Sequence, residues 1–273
     1  MKAQTLFTLA AIATLQHSYA AVSWVPAGPP TVSANFANSS AAASGGWDEF
    51  AGTFTQTNLP GADGANGFMM LKDTDGLDGP NDNFTFSRQG RTSTFPGSYA
   101  VLTSIYLDNT WSAGSGFDYS TAINNSTGVH LRDFATSVGF DGTNFFFAAS
   151  NNVDFNAIGA LNPSKKPINL GALSSGWYNL QTVFYDVNGF LTSDMNLLDS
   201  SGNILATKTI TTQDAMSGVG GHRYAWMTGI STDNDNQLAI DNYRIQNIQI
   251  IPEPSIAFLG SLAGFLLLRR RRA

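Results

Sequence analysis

Cysteine is absent from the 273-residue chain. That absence excludes disulfides, thiolate metal sites and cysteine nucleophiles. Histidine is nearly absent too, with only His17, His130 and His222 present. Neither an H-E-x-x-H pattern nor a G-x-S-x-G elbow accompanies them, so zinc chemistry and Ser-His-Asp hydrolysis have little to stand on. His130, in an alternating stretch, and His222, beside Gly220-Gly221, read more simply as surface or hydrogen-bonded structural residues. Glutamate is scarce: Glu49 is the only one between residues 21 and 250. Glycosidases set two carboxylic acids across the scissile bond, and neither an E-x-D-x-x-E pattern nor any other evident pairing supplies them. Positive charge is also short. With Lys2 and Arg269 to Arg272 set aside at the ends, nine basic side chains face nineteen acidic ones. An acidic domain of this kind excludes nucleic acid, whose phosphates demand a basic footprint.

The two ends have a different character from the middle. Met1-Lys2 opens with a positive charge, Leu6 to Leu15 is apolar, and Ser18-Tyr19-Ala20 has the small-x-small pattern of a cleavage site. Residues 1–20 therefore read as a signal peptide with a signal helix, cut between Ala20 and Ala21, which makes the protein exported. At the other end Pro252-Glu253-Pro254 precedes thirteen uncharged, mostly apolar residues, Ile256 to Leu268, and then Arg269, Arg270, Arg271 and Arg272. The spacing predicts a single transmembrane helix within residues 251–273, with the basic cluster held in the cytoplasm. At ~1.5 Å per residue that run reaches only about 20 Å of a ~30 Å hydrocarbon core, so its flanks must cover the difference.

Between the ends, residues 21–250 make one domain of ordinary size for an all-β sandwich. Short alternating segments recur between Gly, Asn and Asp turns. The plainest unit is a meander: Trp177 to Tyr185, a turn at Asn188-Gly189, Phe190 to Leu198, a turn at Gly202-Asn203, then Ile204 to Ile210. Further strands are expected at 67–71, 84–88, 99–108, 129–140, 144–149, 224–230 and 238–248. A short helix is expected in T-T-Q-D-A-M-S-G, capped by Thr211 or Thr212 and ended by Gly218. About ten strands without alternating helices predict two packed antiparallel sheets of the jelly-roll, concanavalin-like kind, with a barrel as the alternative.

The tail, P-E-P then an apolar helix then a basic cluster, resembles the PEP-CTERM sorting signal of Gram-negative bacteria, a tail that also circulates under a label taken from ice-binding proteins. That label is no evidence of ice binding. The resemblance implies an exosortase as partner, Pro252, Glu253 and Pro254 as its recognition motif, transient anchoring in the inner membrane, and release to the cell surface or extracellular matrix. The run from Gly116 to Phe134, with the later G-W-Y, L-L-D-S-S-G, G-G-H-R-Y-A-W and L-A-I-D-N, resembles a domain of uncharacterised PEP-CTERM proteins, which implies a boundary and no activity.

Two features suggest ligands. Asp73, Asp75, Asp78 and Asp82 crowd a Gly-rich loop whose oxygens suit calcium, the one cofactor the sequence suggests. It is not an EF-hand, since Asp78 stands where Gly is required and Phe84 where Glu is, and a solvated acidic turn is the plainer reading. A second acidic stretch, Asp233 to Asn236 with Asp241-Asn242, reads first as turn chemistry. Sugars are held by exposed aromatic rings beside amides and carboxylates. Trp24, Trp47, Trp111, Trp177 and Trp226 are available, with Trp177 and Trp226 expected as core and Trp111, in a polar loop, as the exposed ligand-binding ring. Together these features predict a non-catalytic domain that contacts polysaccharide. A glycoside hydrolase and a self-associating structural protein are the alternatives.

Overall fold

A computed structural model describes residues 21–34, 47–49, 52–64, 66–73, 83–87, 93–151, 159–233 and 237–251. Sixteen strands lie among them. The first six are β1 (Trp24–Pro26), β2 (Val32–Ala34), β3 (Trp47–Glu49), β4 (Gly52–Pro60), β5 (Asn66–Asp73) and β6 (Asn83–Ser87). The next five are β7 (Tyr99–Leu107), β8 (Gly116–Asn125), β9 (His130–Phe140), β10 (Phe145–Asn151) and β11 (Ile168–Gly171). The last five are β12 (Gly176–Val187), β13 (Phe190–Leu198), β14 (Ile204–Ala215), β15 (Val219–Ser231) and β16 (Gln237–Ile250).

They form two sheets. The nine-stranded sheet runs β14-β13-β12-β7-β16-β5-β4, with β1 and β2 also paired to β16. The seven-stranded sheet runs β11-β10-β9-β8-β15-β6-β3. Alternation explains how they meet. On β12 the even residues Leu180, Thr182 and Phe184 point inward, and on β8 the odd residues Phe117, Tyr119 and Ile123 do so. Phe134 meets Phe184 across the gap, edge to face, with ring centroids 5.2 Å apart. Each fully buried ring of this kind contributes roughly 2 kcal/mol. The sandwich expected from the sequence is thus present, with the predicted meander as β12, β13 and β14. Its first turn closes on Asn188 and Gly189, both at positive φ (55° and 84°), with Asp186 Oδ1 accepting the Gly189 N–H at 2.6 Å.

Several expectations are corrected. The stretch T-T-Q-D-A-M-S-G is no helix: β14 continues to Ala215, and only a 3-10 turn, Met216–Gly218, follows. Thr211 and Thr212 are β-branched and spend their hydroxyls on the neighbouring strand, at Thr192 Oγ1 and the Leu191 carbonyl, so the extended form wins. The all-β class also stands without its expected helices. No helix among the described residues is long and apolar enough to cross a membrane, and the three present are single 3-10 turns. The signal helix, the transmembrane helix, the inner-membrane and exosortase partnership and the localisation drawn from them are therefore not supported. The thirteen-residue run falls about 10 Å short of a bilayer core. Residues 1–20 and 252–273, with Pro252 to Pro254 and Arg269 to Arg272, lie outside the described residues.

Candidate functional site

The odd residues of β12 face away from the core, over the outer face of the nine-stranded sheet. Register places Leu198, Asn179, Ser104 and Asp241 in one row across β13, β12, β7 and β16, and Asn196, Gln181, Leu102 and Arg244 in the next. Neutral polar side chains knit this floor together. Ser104 Oγ donates to Asn179 Oδ1 at 2.7 Å, Asn196 Nδ2 to Gln181 Oε1 at 2.8 Å, and Thr207 Oγ1 to Asn196 Oδ1 at 2.8 Å. Each amide so fixed keeps some donor and acceptor capacity for a ligand.

Above the floor lies a cleft of about 590 Å³. Trp24 and Trp177, both half-buried, line it with Asp63, Arg244 and the turn Ser200 to Gly202. Trp177 is held in one orientation by two T-shaped contacts, with Phe68 at 5.4 Å and Tyr106 at 5.5 Å. Trp24 packs on the small outer cluster Ala100, Leu102, Val183 and Ile248. A flat ring beside fixed amides suits the apolar face and the hydroxyls of a sugar.

Asp241 fixes one wall. Fully buried, it accepts the Ala62 N–H at Oδ2 and the Asn242 N–H at Oδ1, both at 2.8 Å, and so ties the β4–β5 turn to the bulge of β16. Burial, with the nearby Asp63 charge adding to it, pushes its carboxyl up to about 6. Both oxygens are spent on backbone amides and none of the side chain reaches solvent, so Asp241 is not placed to protonate a leaving group.

The other face of the molecule holds no catalytic triad in its visible polar group. On the seven-stranded sheet His130 Nε2 lies 3.0 Å from Asp133 Oδ2, and Ser120 Oγ donates to Asp133 Oδ1 at 3.2 Å. The carboxylate stands between serine and histidine, so the imidazole cannot take the serine proton. Nearby, Asp118 is almost fully buried beneath the strap that begins at Gly159. Burial raises its carboxyl to about 7, against hydrogen bonds from Ser137 Oγ and the Gly159 N–H and the charge of Lys165. His222 sits in the core, its Nε2 3.2 Å from Tyr243 Oη, and burial lowers its pKa to about 3.

The site residues read from the sequence scatter. Trp111 is buried, not exposed: a turn returning its N–H to the Asp108 carbonyl tucks the indole edge-on to Phe145, at 6.1 Å. Trp177, expected in the core, is a cleft wall. Trp226 is buried, as expected, and the side chain of Trp47 is outside the described residues. Asp73 ends β5, while Asp75, Asp78 and Asp82 lie outside the described residues. Among the described residues no three His, Asp or Glu side chains come together to hold a metal. Asp233 instead accepts the Ser112 N–H.

No family model matches the chain, and no curated protein matches it. The PEP-CTERM resemblance therefore rests on the sequence alone. Among solved structures the chain is similar to the CBM2 module of the evolved Dit of Lactobacillus casei BL23 phage J-1, at 12% identity over 81% of this chain and 99% of that one, with a TM-score of 0.37. It is similar to peanut lectin at 9% identity, over 81% and 99%, with a TM-score of 0.42. It is also similar to a family 7 alginate lyase, A1-II′, at 10% identity, over 73% and 84%, with a TM-score of 0.37. At these scores the fold assignment rests on the chain's own two sheets.

Proposed function

We propose that the domain is a non-catalytic module that contacts polysaccharide through the cleft on the outer face of its nine-stranded sheet. One observation carries the reading: two half-buried tryptophans, Trp24 and Trp177, stand over a floor of Ser104, Asn179 and Gln181. The rings offer apolar faces, the amides offer directed donors and acceptors, and neither requires a charged ligand. The enzyme alternative finds no support in the cleft. Glu49 lies on β3, at the edge of the other sheet, and Asp241 is sealed by backbone amides. Membership of the PEP-CTERM class is a separate proposal, drawn from the sequence resemblances of the tail, Pro252 to Pro254 with Arg269 to Arg272, and of the run Gly116 to Phe134.

The test is binding of the full chain to a panel of neutral and acidic polysaccharides, with calcium and again with chelator. Saturable binding that Trp177→Ala weakens about tenfold, in line with the loss of one stacking ring, is the expected result. Loss of binding in chelator would bring calcium and the loop from Asp73 to Asp82 into the reading. Binding to no glycan, or binding indifferent to Trp177 and Trp24, would overturn it and leave self-association as the role to measure next.

A further inference from the structure

Asp194 has an unusual setting. It lies on β13, completely buried on the outer side of the nine-stranded sheet. Its carboxylate accepts three hydrogen bonds: from Thr209 Oγ1 at 2.6 Å, from Tyr185 Oη at 3.0 Å, and from the backbone N–H of Val22 at 2.6 Å. All three donors are neutral. Tyr185, the titratable group that bonds it, has its own ionisation pushed upward by burial and by the Asp194 charge, so it stays a donor. No cation among the described residues reaches Asp194, although a carboxylate shut away from water normally needs one.

The chain position of that third donor is the informative part. Val22 is the second residue after the small-x-small sequence Ser18-Tyr19-Ala20. A cut between Ala20 and Ala21 leaves an amine one residue from an N–H already bonded to Asp194. Backbone dimensions put it within about 6 Å of the carboxylate oxygen. In an uncut chain the same nitrogen is an uncharged amide.

We propose that Asp194 is the receiving site for the α-ammonium created when a peptidase cuts the chain between Ala20 and Ala21. The Ala20–Ala21 peptide bond breaks, water supplies hydroxyl to the Ala20 carbonyl and a proton to the amine, and the amine takes up a further proton. The new charge supplies the missing cation. It also strengthens the hold on the segment that carries Trp24, three residues on, in the cleft wall. The pairing stands whether or not the cleft binds sugar.

The test compares the full chain, a chain beginning at Ala21, and that shorter chain with its α-amine acetylated. Each is made with and without Asp194→Asn. All sixteen strands lie after Ala21. The Ala21 amine is expected to titrate about one unit above the ordinary 7.7–8.0 range, which makes the folding equilibrium of the free-amine form about tenfold more favourable than that of the acetylated form near neutral pH. Because the folded value is the raised one, the advantage is full below the ordinary range and fades as pH climbs through the raised value. Asp194→Asn should abolish both the shift and the advantage. An amine that titrates in the ordinary range, or an advantage that survives Asp194→Asn, would overturn the proposal. Mass spectrometry of the chain from its producing cells must also find Ala21 first; a native chain still holding residues 1–20 would overturn it.

Discussion

Replacing Asp118 with asparagine should flatten the dependence of stability on pH between about 4 and 7. The wild-type carboxyl rises from an ordinary value of 3.8 to about 7 because desolvation outweighs the Ser137 and Gly159 hydrogen bonds and the Lys165 charge. A folded value above the unfolded one means that the native state binds the proton more tightly. Stability from this group is therefore full below about 4 and is lost as pH rises through about 7. A span of roughly three units at 1.36 kcal/mol each amounts to about 4 kcal/mol, an order-of-magnitude figure. Asparagine keeps an oxygen to accept from Ser137 and Gly159 but has no charge to desolvate, so Asp118→Asn should match or exceed the wild type at pH 8 and fall behind it near pH 4. Urea denaturation at each pH gives the two curves, and their difference cancels the other titrating groups, His222 and Asp241 included. A difference that stays constant across the range would refute the reasoning. So would a variant that falls further behind the wild type at pH 8 than at pH 4.

Other expectations follow from single contacts. His222, fully buried with no partner at Nδ1 among the described residues and its pKa lowered to about 3, makes the fold lose stability as pH falls from about 6.5 toward 3. His222→Phe should lessen that acid lability in thermal melts at pH 4 and 7. Gly220→Ala would place a Cβ 2.3 Å from the Asn125 carbonyl oxygen and 2.9 Å from that of Asn124, backbone atoms that cannot swing aside; a loss of about 3 kcal/mol or more in chemical denaturation is expected. Arg132 grips Asp214 with Nε at 2.6 Å and Nη2 at 3.2 Å, tying β9 to β14 across the two sheets. Arg132→Met should cost about 1–2 kcal/mol, and restoring neutrality with Asp214→Leu should recover part of it in a double-mutant cycle.

Strand-level structure was legible where period-2 alternation is strong and the turn residues are unambiguous. Asn188-Gly189 marked a hairpin because its positive backbone angles suit those residues, and the meander around it was readable almost to the residue. The strand β8 was missed because its outer positions, Asp118 and Ser120, are polar yet buried, and a polar alternation of that kind reads as a loop. The extension of β14 was missed because Asp214, Ser217 and Gly218 look like helix punctuation. Side-chain direction decided the tryptophans. Trp177 shares a strand with core residues but sits at the opposite phase, and nothing in a single sequence says which phase of a two-sided strand meets the core. The cleft was not legible at all, since Trp24, Asp63, Trp177 and Arg244 come together only through sheet order.

That order has a consequence for the birth of the molecule. In the nine-stranded sheet β16, the last of the described strands, separates the pair β4–β5 from the block β7–β12–β13–β14. In the seven-stranded sheet β15, the second-last, likewise stands between β8 and β6. Both sheets are zipped shut from the middle by the end of the chain. A ribosome that has delivered everything up to Ser231 has supplied β15 to the seven-stranded sheet but left the nine-stranded one in two pieces with unsatisfied inner edges, each a template for a stranger's strand. Such a chain must wait, extended or escorted, for the fourteen residues of β16 before it can close on itself.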